Sequence, residues 1–385
     1  MKATDEHTDR LRVAVVFPGD PTDPRVWSGT PAGLVGGLQG AGVEVVPVDV
    51  TPPRRLAALW TRAVAGQLRP SPDHLLTITR QGTPYARLVS ATAALRVPRD
   101  ADAVLQIGTG YRAFGRVRAT FEDMTVVQGR RHAWGEIGAL PERLVEGRRR
   151  LQQSVYRNAD VCFLATSWAA SSVAEDYGVP RERISVTGLG VNRPVPPAQD
   201  RDWSRPCLLF VGNAWERKNG PAVLEAFARL HARVPGAQLH LVGQGVPASA
   251  SEFPGVTVHG ALPMGDPEAQ RRLAALFASA TCLVVPSQLE PAGIVYAEAG
   301  AAGIPAIGST VGGAADMIGP GGRVVDPKNV DALAAAMVEL ADPTTARTLG
   351  EQARQHAAGL TWEAVGGRIA ARLREAVSGT EGAAG

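Results

Sequence analysis

The sequence predicts an α/β fold of two domains, each built on parallel strands. Three observations lead there. Short runs such as Leu11–Phe17, Cys207–Val211 and Cys282–Val285 are almost wholly apolar, as strands covered on both faces must be. Each run ends in a turn rich in glycine, proline or polar residues, and a helical pattern follows, so strand, turn and helix alternate. Midway along the 385 residues, the stretch 193–206 (RPVPPAQDRDWSRP) crowds prolines and charges together, which marks a boundary between domains.

The first domain takes residues 1–195. Leu11–Phe17 is its opening strand, and the polar loop from Pro18 to Trp27 leads to Ser28-Gly29-Thr30-Pro31. A helix runs from there to Gly40, with Pro31 suited to its first turn, and a strand at Val43–Val48 completes one βαβ unit. The Gly29–Thr30 turn lies at the carboxyl end of a strand, where open α/β sheets take ligands; a plain structural turn reads equally well. Residues 52–100 are rich in arginine and proline and define no clear element. Ala103–Ile107 is a strand. The pair Asp100-x-Asp102 resembles a metal motif but precedes that strand, on the side away from a ligand-facing turn. Phe121-Glu122-Asp123-Met124-Thr125 forms an acidic turn, with Arg130, Arg131 and His132 close behind as partners for those acids or for a ligand. A helix from Glu136 to Arg157 carries Arg148-Arg149-Arg150 as a solvated face. A strand (Val161–Ala165), a helix to Tyr177 and a strand (Ile184–Thr187) close the domain.

The second domain takes residues 205–361. It opens with the strand Cys207–Val211, the loop Gly212-Asn213-Ala214-Trp215-Glu216-Arg217-Lys218-Asn219-Gly220 and a helix to Val234. The chain has only three lysines, Lys2, Lys218 and Lys328, against 37 arginines. A lysine in that loop points to a place for a compact ammonium. Gln238–Val242 is a strand ending in Gly243-Gln244-Gly245; without a third glycine and a clean helix start this is a tight turn and no dinucleotide fingerprint. The strand Val256–Gly260 exits through Ala261-Leu262, and a helix covers Pro267–Ser279. After the central stretch come a strand at Gly322–Val325, a helix from Val330 to Ala341, and helices to Ser378; the last, 362–378, opens at Trp362.

The most informative stretch is Cys282–Ile318. Its strand feeds a turn with Glu290 at the tip, then Pro291-Ala292-Gly293, then a helix from Ile294 to Ala302 that Gly303 and Pro305 stop. Such a helix start presents unpaired N–H groups, here at Gly293, Ile294 and Val295, to phosphate or sugar oxygens. Glu298 follows Glu290 by eight residues. Two carboxylates beside a phosphate would repel it, so they make better sense accepting hydrogen bonds from hydroxyls, as on a sugar and a ribose.

These residues resemble the family 4 retaining glycosyltransferases with the GT-B fold. Their mark is a Glu-x7-Glu motif, here Glu290…Glu298, set in Glu-Pro-x-Gly-Ile, Glu-Ala-x-Ala-x-Gly-Ile-Pro and a following Gly-Gly loop. Ser167-Trp168-Ala169 with Tyr177-Gly178 echoes bacterial members of the family. The resemblance implies two Rossmann-like domains facing across a cleft, with the final helix crossing back to the first. It implies an enzyme that moves a sugar from a nucleoside diphosphate sugar, uracil favoured over guanine, to an acceptor hydroxyl with retention. Lys218, with Arg217, would hold the donor diphosphate; Asn213 stands where the family has arginine. Gly212, Gly243, Leu262, Pro291 and Ala292 would line the donor site, Glu290 would hold sugar hydroxyls and Glu298 the ribose. On the acceptor side the resemblance places Gly29, Thr30, Glu122, Asp123 and His132, with Asp123 the candidate for catalysis. No metal and no cofactor beyond the co-substrate is expected.

The remaining features narrow the field. Residues 1–200 carry a charge of +5 and residues 201–385 one of −2. That asymmetry is too slight to imply nucleic acid, and a solvated face explains it better than peripheral contact with a membrane. No apolar run is long enough for a membrane span and the polar start MKATDEHTDR carries no signal segment. Cys162, Cys207 and Cys282 each sit in an apolar run, as buried thiols do, so a reduced, cytoplasmic setting is expected. Two alternatives keep the fold: a sugar-nucleotide-binding protein without catalysis, suggested by Asn213, and a sugar-nucleotide epimerase.

Overall fold

A computed structural model describes residues 10–53, 55, 83–193 and 201–382. The chain divides into two compact units, Met1–Thr187 with Trp362–Gly385, and Gly188–Thr361.

Among the described residues the first unit has strands β1 (Arg12–Phe17), β2 (Glu44–Asp49), β3 (Ala103–Ile107), β4 (Val117–Glu122), β5 (Val161–Leu164) and β6 (Ile184–Val186). They form one parallel sheet in the order β2-β1-β3-β4-β5-β6. Its helices are α1 (Thr30–Gly40), α2 (Thr83–Arg96), α3 (Val126–Arg131), α4 (Gly135–Ala139), α5 (Glu142–Asn158) and α6 (Ser167–Glu175). The central strands are buried from end to end, which is why they read as continuous apolar runs. Asp102 accepts from the Arg12 N–H at 2.8 Å and Asp100 pairs with the Arg12 guanidinium, so both tie down the amino ends of strands.

Two expectations need correction here. The single helix from Glu136 to Arg157 is in fact α4 and α5, parted at Leu140-Pro141. Leu140 is extended, as a residue before proline prefers, and Pro141 has no N–H to continue the first helix. The unassigned stretch 52–100 contains α2, whose weak amphipathic pattern gave no periodic signal.

The second unit has strands β7 (Cys207–Val211), β8 (Gln238–Val242), β9 (Val256–Gly260), β10 (Cys282–Val284), β11 (Ala306–Ser309) and β12 (Gly322–Val325), parallel in the order β12-β11-β10-β7-β8-β9. Its helices are α7 (Gly220–Arg233), α8 (Pro267–Ser279), α9 (Ile294–Ala301), α10 (Ala314–Ile318), α11 (Val330–Glu339) and α12 (Pro343–Ala357). The strand order reverses around β7, which lies between β8 and β10. That reversal opens a crevice at the carboxyl ends of β7 and β10, the usual ligand position in such sheets.

The last helix, α13 (Trp362–Gly382), belongs to the first unit. It packs on α1 through glycines. A Cβ on Gly37 would overlap the Trp362 carbonyl, one on Gly33 the Trp362 ring, and one on Gly366 the Gly37 backbone. Arg368 donates to the Thr187 carbonyl at 2.6 Å and Arg374 to that of Ala41 at 3.0 Å. Within the second unit, its first and last residues lie side by side: the Val191 N–H donates to the Leu360 carbonyl at 3.1 Å.

Candidate functional site

In the second unit, two loops at the carboxyl ends of neighbouring strands are sewn together. The Gln288 N–H donates to the Arg217 carbonyl at 2.8 Å, and the Arg217 guanidinium donates to the Leu289 carbonyl at 3.1 Å. The turn after β10 is fixed from its other side by the loop after β11. Glu290 pairs with Gly312 in an isolated parallel bridge, and Gly313 N–H donates to the Glu290 carbonyl at 2.9 Å. Gly312, with φ +111°, is required there, because a Cβ would overlap the Glu290 carbonyl.

This stitching sets Lys218 against Glu290. Their ammonium and carboxylate form a buried ion pair, with the Arg217 guanidinium 3.6 Å from the same oxygen and the Ser287 hydroxyl donating to it at 3.1 Å. Burial alone would raise the Glu290 pKa; Lys218 first, then Arg217 and Ser287, outweigh it and hold the carboxyl below its ordinary value. The stem of Lys218 lies over Gly212, where a Cβ would approach it to 2.8 Å. Gly243, at φ +146°, lets β8 turn against the Gly212 carbonyl.

The start of α9 stands beside this pair. Gly293 takes a left-handed conformation as its N-cap, and a Cβ there would come within 2.9 Å of Glu290 Cγ. Pro291 and Ala292 are buried, while Gly293, Ile294 and Val295 keep partial exposure, so the helix start is reachable from solvent. Tyr296 anchors the turn by donating to the Val285 carbonyl at 2.6 Å. Asn213 is exposed and accepts from the Gln244 N–H at 3.4 Å, serving as a cap for the neighbouring turn. Leu262 is half-buried after β9. Glu298, 2% exposed on α9, has the Arg193 guanidinium 3.1 Å away. Burial pushes the Glu298 carboxyl up, and Arg193 opposes the shift.

The first unit places Gly29, Thr30 and Asp123 at the carboxyl ends of β1 and β4. Gly29 caps α1 at φ +83°, following two further residues of positive φ, Trp27 and Ser28; Thr30 is buried in the first turn. Asp123 is half-buried just beyond β4. His132 ends α3 with its ring 5.9 Å from that of Trp168, and burial, then Arg131, lower its pKa.

Glu122, expected beside Asp123 on the acceptor side, is buried. Its carboxylate accepts from the Thr109 N–H at 2.7 Å, the Thr109 hydroxyl, Gln152 at 2.8 Å and Tyr156 at 2.6 Å. It is an internal fastening for the loop after β3, and burial pushes its pKa up. Arg130 and Arg131 pair with Glu142 and Asp176, leaving Glu122 to others. Nor are the three arginines of α5 one solvated face: Arg149 and Arg150 pair with Glu146, while Arg148 turns in over Gly110.

Sequence reasoning missed Ser287 and Arg193 as partners of the two glutamates, and Tyr296 as the anchor of the turn that carries Glu290. Ser287 had a local signal, three residues before Glu290; Arg193 lies more than a hundred residues from Glu298 and had none. Among the described residues no group of three or more His, Cys, Asp or Glu is arranged to hold a metal ion, and no helix is long and apolar enough to cross a membrane.

Comparison with known proteins bears on this geometry. Residues 205–342, which carry both loops, match the family model described as glycosyl transferases group 1. Relatives include a D-inositol 3-phosphate glycosyltransferase of Corynebacterium glutamicum, 28% identical over 256 residues covering 60% of this chain and 61% of the relative. An MMP alpha-(1->4)-mannosyltransferase of Mycolicibacterium hassiacum is 30% identical over 241 residues, covering 59% of this chain and 57% of its own length. The chain thus spans about three fifths of the length of the curated relatives it matches. Among solved structures, the sucrose-phosphate synthase of Thermosynechococcus elongatus aligns with a TM-score of 0.67 at 22% identity, covering 96% of this chain and 100% of that one. WaaG, a glycosyltransferase involved in lipopolysaccharide biosynthesis, aligns with a TM-score of 0.59 at 16% identity, covering 94% and 99%.

Proposed function

We propose, from the premise that this chain is a family 4 glycosyltransferase with the GT-B fold, that its second unit binds a nucleoside diphosphate sugar and transfers the sugar to a hydroxyl with retention. The observation that carries the reading is the Lys218–Glu290 pair, held by two stitched loops beside the accessible start of α9. In this reading the pyrophosphate sits at that helix start, and Lys218 with Arg217 neutralises the charge that grows on the leaving diphosphate. Preorganised charge of this kind is commonly the largest catalytic contribution. Glu290 orients the ammonium and accepts from hydroxyls of the donor sugar, while Glu298 serves the ribose. Asn213 supplies no charge, and Arg217, pinned to the Leu289 carbonyl, takes the second cationic place. The first unit takes the acceptor, with Asp123 and the Gly29–Thr30 turn as its contacts.

A protein that binds sugar nucleotides without transferring them is the second reading, and Asn213 is what favours it. One experiment separates the two: titration of the purified protein with UDP and GDP, followed by transfer assays from the corresponding donors to a panel of sugar, polyol and phosphorylated acceptors. Transfer is expected, with the anomeric configuration kept. In Lys218→Ala binding should weaken and transfer should be lost while the fold persists. Undiminished binding in that variant would remove Lys218 from the site.

A further inference from the structure

Arg193 stands out among the groups around Glu298. Two of its nitrogens, Nε and Nη1, are buried, and neither makes a hydrogen bond. Nε is 3.1 Å from Glu298 Oε1, close enough for charge attraction but misaligned for a hydrogen bond. Glu298 itself is 2% exposed, and the Arg193 ion pair is its one charged contact among the described residues. A buried carboxylate is expected to gather several donors, as Glu122 does with four in the first unit. Here an acceptor and a donor lie side by side, both short of partners. Buried polar groups left so are costly in a folded protein unless a ligand completes them.

The chemistry missing from the pair is definite. It needs a group that donates to Glu298 and accepts from Arg193 Nη1 within one small space. A vicinal diol does both, since each hydroxyl is a donor and an acceptor together. A phosphate would accept from Arg193 but be repelled by Glu298, and an ammonium would fail in the opposite sense. We propose that Arg193 and Glu298 act as a donor–acceptor pair that reads the ribose 2′,3′-diol of the nucleotide, and that Arg193 determines the preference for ribo- over 2′-deoxyribonucleotides. This rests on the nucleotide reading above. It assigns to Arg193, which lies outside both stitched loops, a direct contact with the ligand and a role in specificity. Arg193 also opposes the burial that disfavours the charged form of Glu298, the better acceptor for a diol.

The test compares UDP with 2′-deoxy-UDP, and GDP with 2′-deoxy-GDP, by calorimetric titration of the wild type, Arg193→Met, Arg193→Lys and Lys218→Ala. The wild type is expected to favour the ribo form by about 10-fold or more, because the deoxy form leaves buried polar groups unmatched. Arg193→Met should bring that ratio down to within about 3-fold, and Arg193→Lys, which restores a donor, should recover part of it. Lys218→Ala should weaken ribo and deoxy forms equally, since it acts on the diphosphate. Retention of the full ribo preference in Arg193→Met would overturn the proposal, as would tighter binding of both forms, which would make Arg193 a mere stand-in that the ribose displaces. Wild type that binds neither diphosphate would instead overturn the nucleotide reading, and the proposal with it. Thermal melts of the unliganded variants keep loss of folding distinct from loss of preference.

Discussion

Glu290 and Glu122 are both buried carboxylates, yet they titrate in opposite directions, and each difference is testable. Glu290 has Lys218, Arg217 and Ser287 around one oxygen, so its pKa falls. A group whose pKa is depressed on folding stabilises above its unfolded value and loses that contribution as pH drops through its folded value. Glu290→Gln should therefore be less stable than the wild type at neutral pH, by about 3 kcal/mol, because Lys218 is left buried without its counter-charge. The gap should close as pH falls below the ordinary glutamate value of 4.5. Denaturant melts across that range would show it, and a gap independent of pH would refute the account. Among the described residues the donors bonded to Glu122 are uncharged, and burial outweighs them and the nearby Arg148 charge, so its pKa rises. Its contribution is complete below the unfolded value and declines as pH rises through the folded one. In Glu122→Gln an amide N–H₂ would face donors already in place, at a cost of about 1–3 kcal/mol. Loss of transfer without loss of stability in that variant would return Glu122 to the acceptor side.

The contact between α1 and α13 depends on glycines that allow two backbones to meet. Gly37→Val would force them apart, and we expect the final helix to become the first point of proteolytic cleavage, with the melting temperature lowered by several degrees. Unchanged cleavage would mean that the helices tolerate separation. Elements such as β7, β10 and α9 were legible in the sequence because burial on both faces makes strands wholly apolar and because Gly293 and Gly303 punctuate the helix. The break at Leu140-Pro141 was equally written in the residues, although charge periodicity on either side concealed it. α2 was not legible, since its polar and apolar residues are scattered around the helix. Within the candidate site, Lys218 and Glu290 could be named from type and position. Their stitching through Gln288, Leu289 and Gly312 is made of backbone groups, which carry no sequence signal. The Arg193–Glu298 pair is equally silent in the sequence, because it joins segments more than a hundred residues apart.

Across the whole molecule, the second unit is a continuous segment set inside a first unit that is not continuous. Folding of the first unit therefore awaits α13, while the second unit has its full sequence earlier. A chain ended after Thr361 should still bind nucleoside diphosphates through Lys218 and Glu290, with affinity close to that of the full chain, and should fail in transfer. Calorimetric titration beside a transfer assay would check this; equal loss of both would place α13 in nucleotide binding. The hydrogen bond between Val191 and Leu360 carries this further. Because the two junctions of the inserted segment touch, the polypeptide could be circularly permuted there, or the segment lifted out and its ends joined by a short bridge, with little strain on its sheet. Damage to α13 is thus, in three dimensions, damage to the unit that residues 1–187 build.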